Sequence, residues 1–155
     1  MSTVPLERDL EVTGPVTARL WIASDGPDTD FTAKLIDIHP PNEDYPGGFA
    51  MNLTEGILRC RYRDSWAWPS LMRPGEIYPI TIELFPIGNL FRRGHRLQLD
   101  IASSNFPHFD INPNSGEDEG AMDRPRVARN RVFVDADHPS HVILPVIPQE
   151  TSSER

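Results

Sequence analysis

The chain is poor in the features that mark several large classes of protein. It has one cysteine, Cys60, among 155 residues, so no disulfide can form within it and a reducing compartment fits best. No apolar run reaches the length of a signal peptide core or a membrane span. The chain has 15 basic and 23 acidic residues, and the resulting formal net charge of −8 argues against a nucleic-acid or anionic-membrane surface. We therefore expect a soluble, cytoplasmic protein that binds neither nucleic acid nor membrane.

Proline is abundant, and the chain is short. Sixteen prolines stand beside ten glycines without any periodic pattern, which favours strands joined by loops over a helical bundle. A length of 155 residues suits one domain with a sizeable core. We predict a single domain over residues 1–148, followed by a polar tail over 149–155.

Alternation of apolar and polar residues predicts an all-β fold. Val16, Ala18, Leu20 and Ile22 share one strand face, with Thr17, Arg19 and Trp21 on the other. Pro79 places its strand at an edge or at an unpaired position. Long proline-rich connections favour crossing over a meander, so we predict a β-sandwich of jelly-roll type. About eight strands are expected, near residues 16–22, 31–38, 49–53, 58–63, 78–84, 97–102, 131–134 and 141–146.

The part of the chain after the sixth predicted strand, from residue 103 to residue 141, holds the residue types of serine chemistry. Ser103 or Ser104, His108 or His141, and Asp110 or Asp137 supply a nucleophile, a base and a carboxylate. Geometry rather than residue type defines a triad, and no G-x-S-x-G elbow occurs in the chain. Hydrogen bonds that end a strand ladder are a sufficient reason for the serines. We predict no catalytic residue here.

Two patterns raise the question of metal binding. Asp110, Asn112 and Asn114 alternate as in a calcium loop, but the following glycine falls one place late and asparagine turns explain them without metal. The histidines stand at 39, 95, 108, 138 and 141, and only the last two are close in sequence. Without a cysteine pair, solvated loop histidines are the better interpretation. We predict no metal ligand and no cofactor.

Arginine and tryptophan give two further hypotheses. Arg59, Arg61 and Arg63 line one face of a predicted strand, where their mutual repulsion calls for acidic partners on a neighbouring strand. Trp66 and Trp68 lie in a long loop beside Pro69, either stacked internally or exposed for binding.

Eight segments, taken in order, resemble one known domain. They are residues 5–16, 28–35, 53–59, 61–63, 94–97, 103–107, 112–116 and 138–141. Together they are similar to the C-terminal, non-catalytic domain of the X-prolyl dipeptidyl-peptidase and cocaine-esterase-like serine hydrolases, over roughly residues 5–148. No position of this chain matches the family's serine, aspartate and histidine, which lie on its hydrolase domain.

The resemblance implies a galactose-binding-like jelly roll that packs on an α/β-hydrolase catalytic domain, in the same chain or a separate one, and helps shape its acyl pocket. In this interpretation Trp21, Asn105 and Phe106 contribute to the interface. The alternative is an autonomous jelly-roll module that binds carbohydrate or protein through exposed aromatic residues. The acyl substrate is not predicted, and a homo-oligomer is left open.

Overall fold

The computed structural model describes residues 1–118, 121 and 123–148; the predicted tail at 149–155 lies outside them. Within these residues the chain forms seven strands and one 3₁₀ turn. The strands are β1 (Leu10–Ser24), β2 (Asp30–His39), β3 (Phe49–Arg59), β4 (Tyr78–Phe91), β5 (Arg96–Ala102), β6 (Asn130–Phe133) and β7 (His141–Ile143), and the 3₁₀ turn is Cys60–Tyr62.

The strands build two antiparallel sheets that face each other. The first sheet has the order β4-β1-β6, with β7 also paired to β1, and the second has the order β3-β2-β5. The chain passes from one sheet to the other between β1 and β2, β3 and β4, β4 and β5, and β5 and β6. The predicted all-β sandwich with crossing connections is confirmed. None of the described residues belongs to a helix that could cross a membrane.

The core lies between the sheets and follows the predicted alternation. Val16, Ala18, Leu20 and Ile22 of β1 are buried, as expected for the inward row. They pack in one cluster with inward residues of the neighbouring strands, among them Phe31, Ala33, Leu35, Ile80, Ile82, Leu84, Leu97 and Leu99. Pro79 lies on β4, an edge strand of the first sheet, so the edge prediction is also confirmed.

The prediction of two strands near residues 49–53 and 58–63 is wrong, because a single strand, β3, runs through Gly56. A Cβ at this position would lie 2.4 Å from the carbonyl oxygen of Glu83, so only glycine allows the two sheets to approach here. The strand ends at Arg59 because the chain turns at the next residue, where the Arg63 amide donates to the Cys60 carbonyl (3.2 Å) and closes the 3₁₀ turn.

Candidate functional site

Three connections, two of them long, lie at one end of the sandwich, which we call the loop end. They are residues 25–29, 60–77 and 103–129. The strand registers place them together, since Ser24 pairs with Asn130 and Asp30 pairs with Arg59. Residues 40–48 and 92–95 lie at the opposite end, which we call the hairpin end.

A buried polar network holds the loop end together. Asp28 is fully buried and accepts hydrogen bonds from the Arg61 backbone amide (2.9 Å) and from Arg61 Nε (2.7 Å). Asp30 accepts from Arg59 Nε (3.0 Å) and Nη2 (3.1 Å). Asn112 Nδ2 donates to both carboxylates, at 3.0 Å to Asp28 and 2.7 Å to Asp30. Each buried charge is therefore paired and hydrogen-bonded, which is what makes its burial tolerable.

The network corrects the prediction of an arginine face on a strand. Only Arg59 lies on β3, and its partner Asp30 is on the neighbouring strand, as expected. Arg61 lies in the 3₁₀ turn, is itself buried and pairs with Asp28, which precedes β2. Alternation of arginines indicated a strand, but the turn at Cys60 redirects the second arginine inward.

The same network explains the asparagines of the calcium-like pattern. Asn112 Oδ1 accepts the backbone amide of Asn114 (2.8 Å), the local bond of an asparagine turn. Asn114 adopts a positive φ of 59° and donates from Nδ2 to the carbonyl of Arg126 (3.0 Å). The prediction that turn chemistry accounts for these residues is confirmed.

Asn105 fixes the start of the long connection on the outer surface of the second sheet. Its Oδ1 accepts from Lys34 Nζ (2.7 Å), and its Nδ2 donates to Glu55 (3.0 Å). His108 Nδ1 lies 3.1 Å from the same carboxylate. Burial raises the pKa of Glu55, but hydrogen bonds from Asn105 and Asn52, with the charges of His108 and Lys34, outweigh it and lower that pKa below the ordinary value. Asn105 thus anchors its neighbour Phe106, which is 66% exposed.

Among the described residues, the two longest loops of this end expose six large apolar side chains: Trp66, Trp68, Leu71, Phe106, Ile111 and Val127. Both tryptophans are more than three-quarters exposed, so the exposed alternative of the sequence analysis holds for them, although one also stacks on a neighbouring ring. Trp66 stacks on Tyr62 with ring centroids 6.3 Å apart. These two rings, with Phe109 and the Asp30–Arg59 pair, line a groove of about 450 Å³.

Trp21 lies on the outer face of the first sheet, away from Asn105. Its ring meets that of His138 edge-on at 5.3 Å, and its backbone amide donates to Ser140 Oγ (2.8 Å). Asn105 instead bonds to Lys34 and Glu55 of the second sheet. The structure therefore does not bring the three predicted interface residues into one cluster.

Comparison with known proteins decides the family. The chain matches the X-Pro dipeptidyl-peptidase C-terminal non-catalytic domain over residues 1–143. The chain belongs to this family. The predicted resemblance is thereby confirmed, and the fold is that of a domain which does not itself carry the catalytic residues.

The relatives that match this domain are larger hydrolases, and the match covers only part of each. The chain is 42% identical to cocaine esterase of Rhodococcus sp. (strain MB1 Bresler), covering 94% of the chain and 25% of the relative. An aminopeptidase from a marine sediment Thaumarchaeota archaeon aligns with a TM-score of 0.89 at 31% identity, covering 95% of the chain and 25% of that structure. An α-amino acid ester hydrolase aligns with the same score at 29% identity and the same coverages. The chain spans about a quarter of the curated relatives it matches.

The contacts of the serine and histidine candidates agree with a non-catalytic domain. Ser103 Oγ accepts from Asn130 Nδ2 (2.7 Å), His108 faces Glu55, and His141 Nδ1 lies 2.7 Å from the Pro139 carbonyl. In the described part of the chain, no serine hydroxyl is hydrogen-bonded to a histidine ring. These residues do not form the relay that a serine nucleophile needs.

One cluster of potential metal ligands was not predicted from the sequence. Asp37 and His39 lie at the end of β2, and His95 precedes β5, so the three meet at the hairpin end. The interpretation of the histidines as solvated loop residues is wrong for His95, which is buried, and for His39, which is half-buried on a strand. The spacing of Asp37 and His39, two residues apart on a predicted strand, could have indicated a shared face. Nothing in the sequence indicated that His95 lies beside them.

Proposed function

We propose that this domain packs through its loop end on an α/β-hydrolase catalytic domain and contributes to the wall of its acyl pocket. The relatives named above are called an esterase, an aminopeptidase and an amino acid ester hydrolase. All three names describe cleavage of an acyl bond, so the parent activity we propose is serine acyl hydrolysis. The domain itself performs no chemistry in this proposal.

One observation carries the proposal: the exposed apolar side chains of the loop end stand on a rigid base. Phe106 follows Asn105, which is bonded on both sides, and Trp66 lies six residues from Cys60, which is fully buried. Backbone bonds also tie the later part of the 60–77 loop to the end of β1 and the connection after it, from Gly75 N to the Ser24 carbonyl and from Met72 N to the Pro27 carbonyl, both 2.7 Å. Clustered, preorganised apolar side chains are typical of protein interfaces, because ordering them on binding costs little.

The proposal is tested by titrating the chain into a separately produced α/β-hydrolase domain of the family, by calorimetry. A buried aromatic anchor of an interface contributes about 2 kcal/mol or more, so Phe106→Ala should weaken binding about 30-fold. Phe85→Ala is the matched control, since Phe85 is equally exposed (71%) but lies on β4 of the first sheet. Equal effects of the two substitutions, or no complex with the unmodified chain, would contradict the proposal.

Trp21 remains a predicted interface residue, but it lies apart from the loop end and needs a test of its own. Its ring packs on His138, which in turn lies 5.4 Å from the ring of Phe133. Trp21→Ala in the same titration separates the roles: weaker binding places it in the interface, and unchanged binding with lower stability assigns it to this aromatic packing. Saturable binding of the free chain to a glycan array would favour the carbohydrate-binding alternative.

A further inference from the structure

Three potential metal ligands converge at the hairpin end, far from the proposed interface. Asp37 Oδ1 lies 2.9 Å from His95 Nδ1, and Asp37 Oδ2 lies 3.5 Å from His39 Nε2. The ligand atoms of all three residues lie within 4.8 Å of one another. The two imidazole rings approach to 4.2 Å between centroids.

The backbone positions these side chains independently of any bond between them. Asp37 and His39 are two residues apart on β2, so they point to the same face of the sheet. His95 follows Gly94, whose φ of +86° turns the chain from β4 into β5. Leu6 N donates to the His95 carbonyl (2.8 Å), which holds this turn in place. The cluster therefore joins the end of one sheet to the connection between the two.

Hydrogen bonds within the cluster leave one nitrogen unused. His39 Nε2 is shielded from solvent and has no hydrogen-bond partner among the described residues, although it faces the Asp37 carboxylate. Such an atom normally has a partner. Asn89, on β4, donates from Nδ2 to Asp37 Oδ2 (3.3 Å). Hydrogen bonds of this kind orient the carboxylates that bind metals.

The spacing suits a small divalent ion. Zinc binds histidine nitrogen and carboxylate oxygen at about 2.0–2.2 Å in a tetrahedron, whose ligand atoms are then about 3.4 Å apart. The 2.9 Å separation runs from Oδ1 of Asp37 and the 3.5 Å separation from Oδ2. With one ligand atom per residue, all three atoms lie within 4.8 Å of one another, so a small movement of the side chains brings them to tetrahedral spacing. The His39 side chain is about one-third exposed, so the cluster lies near the surface of the hairpin end, and a water would complete the set of four ligands.

The geometry points to a Zn²⁺ site formed by Asp37, His39 and His95. Two imidazoles and one carboxylate are a donor set that suits zinc and related first-row ions. On binding, bonds to the ion replace the hydrogen bond between Asp37 and His95 Nδ1, and the neutral His95 imidazole carries its hydrogen on Nε2. The bound ion cross-links β2 to the turn before β5 and stabilises the hairpin end.

The test is a titration of the full chain with Co²⁺, whose visible absorption reports tetrahedral nitrogen and oxygen ligands, followed by competition with Zn²⁺. We expect one ion per chain. Excess Zn²⁺ at about 100 times its dissociation constant should raise the melting temperature by about 5–10 °C.

Substitution of single histidines locates the ion. His39→Ala should weaken Co²⁺ binding at least 100-fold, because it removes one of the three ligands while leaving the Asp37–His95 bond. His141→Ala is the matched control, since His141 is exposed and its Nδ1 faces only the Pro139 carbonyl. Circular dichroism without metal checks that both variants are folded. The proposal is overturned if the unmodified chain takes up no Co²⁺, if His39→Ala binds as tightly as the unmodified chain, or if His141→Ala loses binding too.

Discussion

Breaking the buried Arg61–Asp28 pair gives the most direct test of how the loop end is held. Arg61→Met keeps the bulk of the side chain but leaves the carboxylate of Asp28, which is fully buried, with the Asn112 amide and one backbone amide as partners. Removing one member of a buried ion pair costs about 3–5 kcal/mol. That is a large fraction of the roughly 5–15 kcal/mol expected for the free energy of unfolding of a domain.

The assay is urea unfolding followed by tryptophan fluorescence, with thermal unfolding as a second measurement. For a chain of this size a loss of 3–5 kcal/mol lowers the melting temperature by about 6–20 °C. Arg73→Met is the control, because Arg73 is 87% exposed in its pairing with Glu76 at 3.9 Å, and such pairs contribute about 0–1 kcal/mol. Adding Asp28→Asn to Arg61→Met should cost less than the two single changes summed, since no unpaired charge remains. If Arg61→Met destabilised the domain no more than Arg73→Met, the buried network would not be what holds the loop end.

Three further predictions concern the core and the surface of the second sheet. Gly56→Ala should lower the free energy of unfolding by about 1–3 kcal/mol in urea titration, because its Cβ meets the Glu83 carbonyl oxygen, whereas Gly47→Ala, with nothing within 4 Å, should be nearly neutral. Cys60 should resist iodoacetamide in the native protein and react in denaturant, because burial raises the pKa of its thiol. Glu55 has a lowered pKa in the folded state, so the stability it provides is present above pH 4.5 and is lost as the pH falls through that folded pKa; Glu55→Gln should show a smaller loss of unfolding free energy over this range.

Alternation along the strands was enough to predict the sandwich and the inward row of β1. A period of two residues reports which face is buried, and Leu20 and Ile22 lie where that pattern puts them. The pattern failed at Cys60, where a 3₁₀ turn closed by the Arg63 amide ends the strand although the alternation continues. It also could not report exposure for Trp66 and Trp68, because aromatic residues in a loop give no periodic signal.

Sites formed by distant segments were harder to predict. Asn112 joins Asp28 from 84 positions away, and His95 joins Asp37 from 58. Both contacts depend on which loops share an end of the sandwich, and this follows from strand order. Several strand orders are compatible with the same alternation. The sequence could therefore suggest which residue types matter, but not which of them lie close together in the fold.

The strand order also separates the two proposed sites, which makes their tests independent. Asp30 and His39 mark the two ends of β2 and lie about 30 Å apart at about 3.3 Å per residue. Substitutions so distant, with no shared partner, should have additive effects. His39→Ala should therefore leave binding to the hydrolase domain unchanged, and Phe106→Ala should leave Co²⁺ binding unchanged. Loss of both properties in either variant would mean that the two ends of the sandwich do not fold as separate sites on one rigid support.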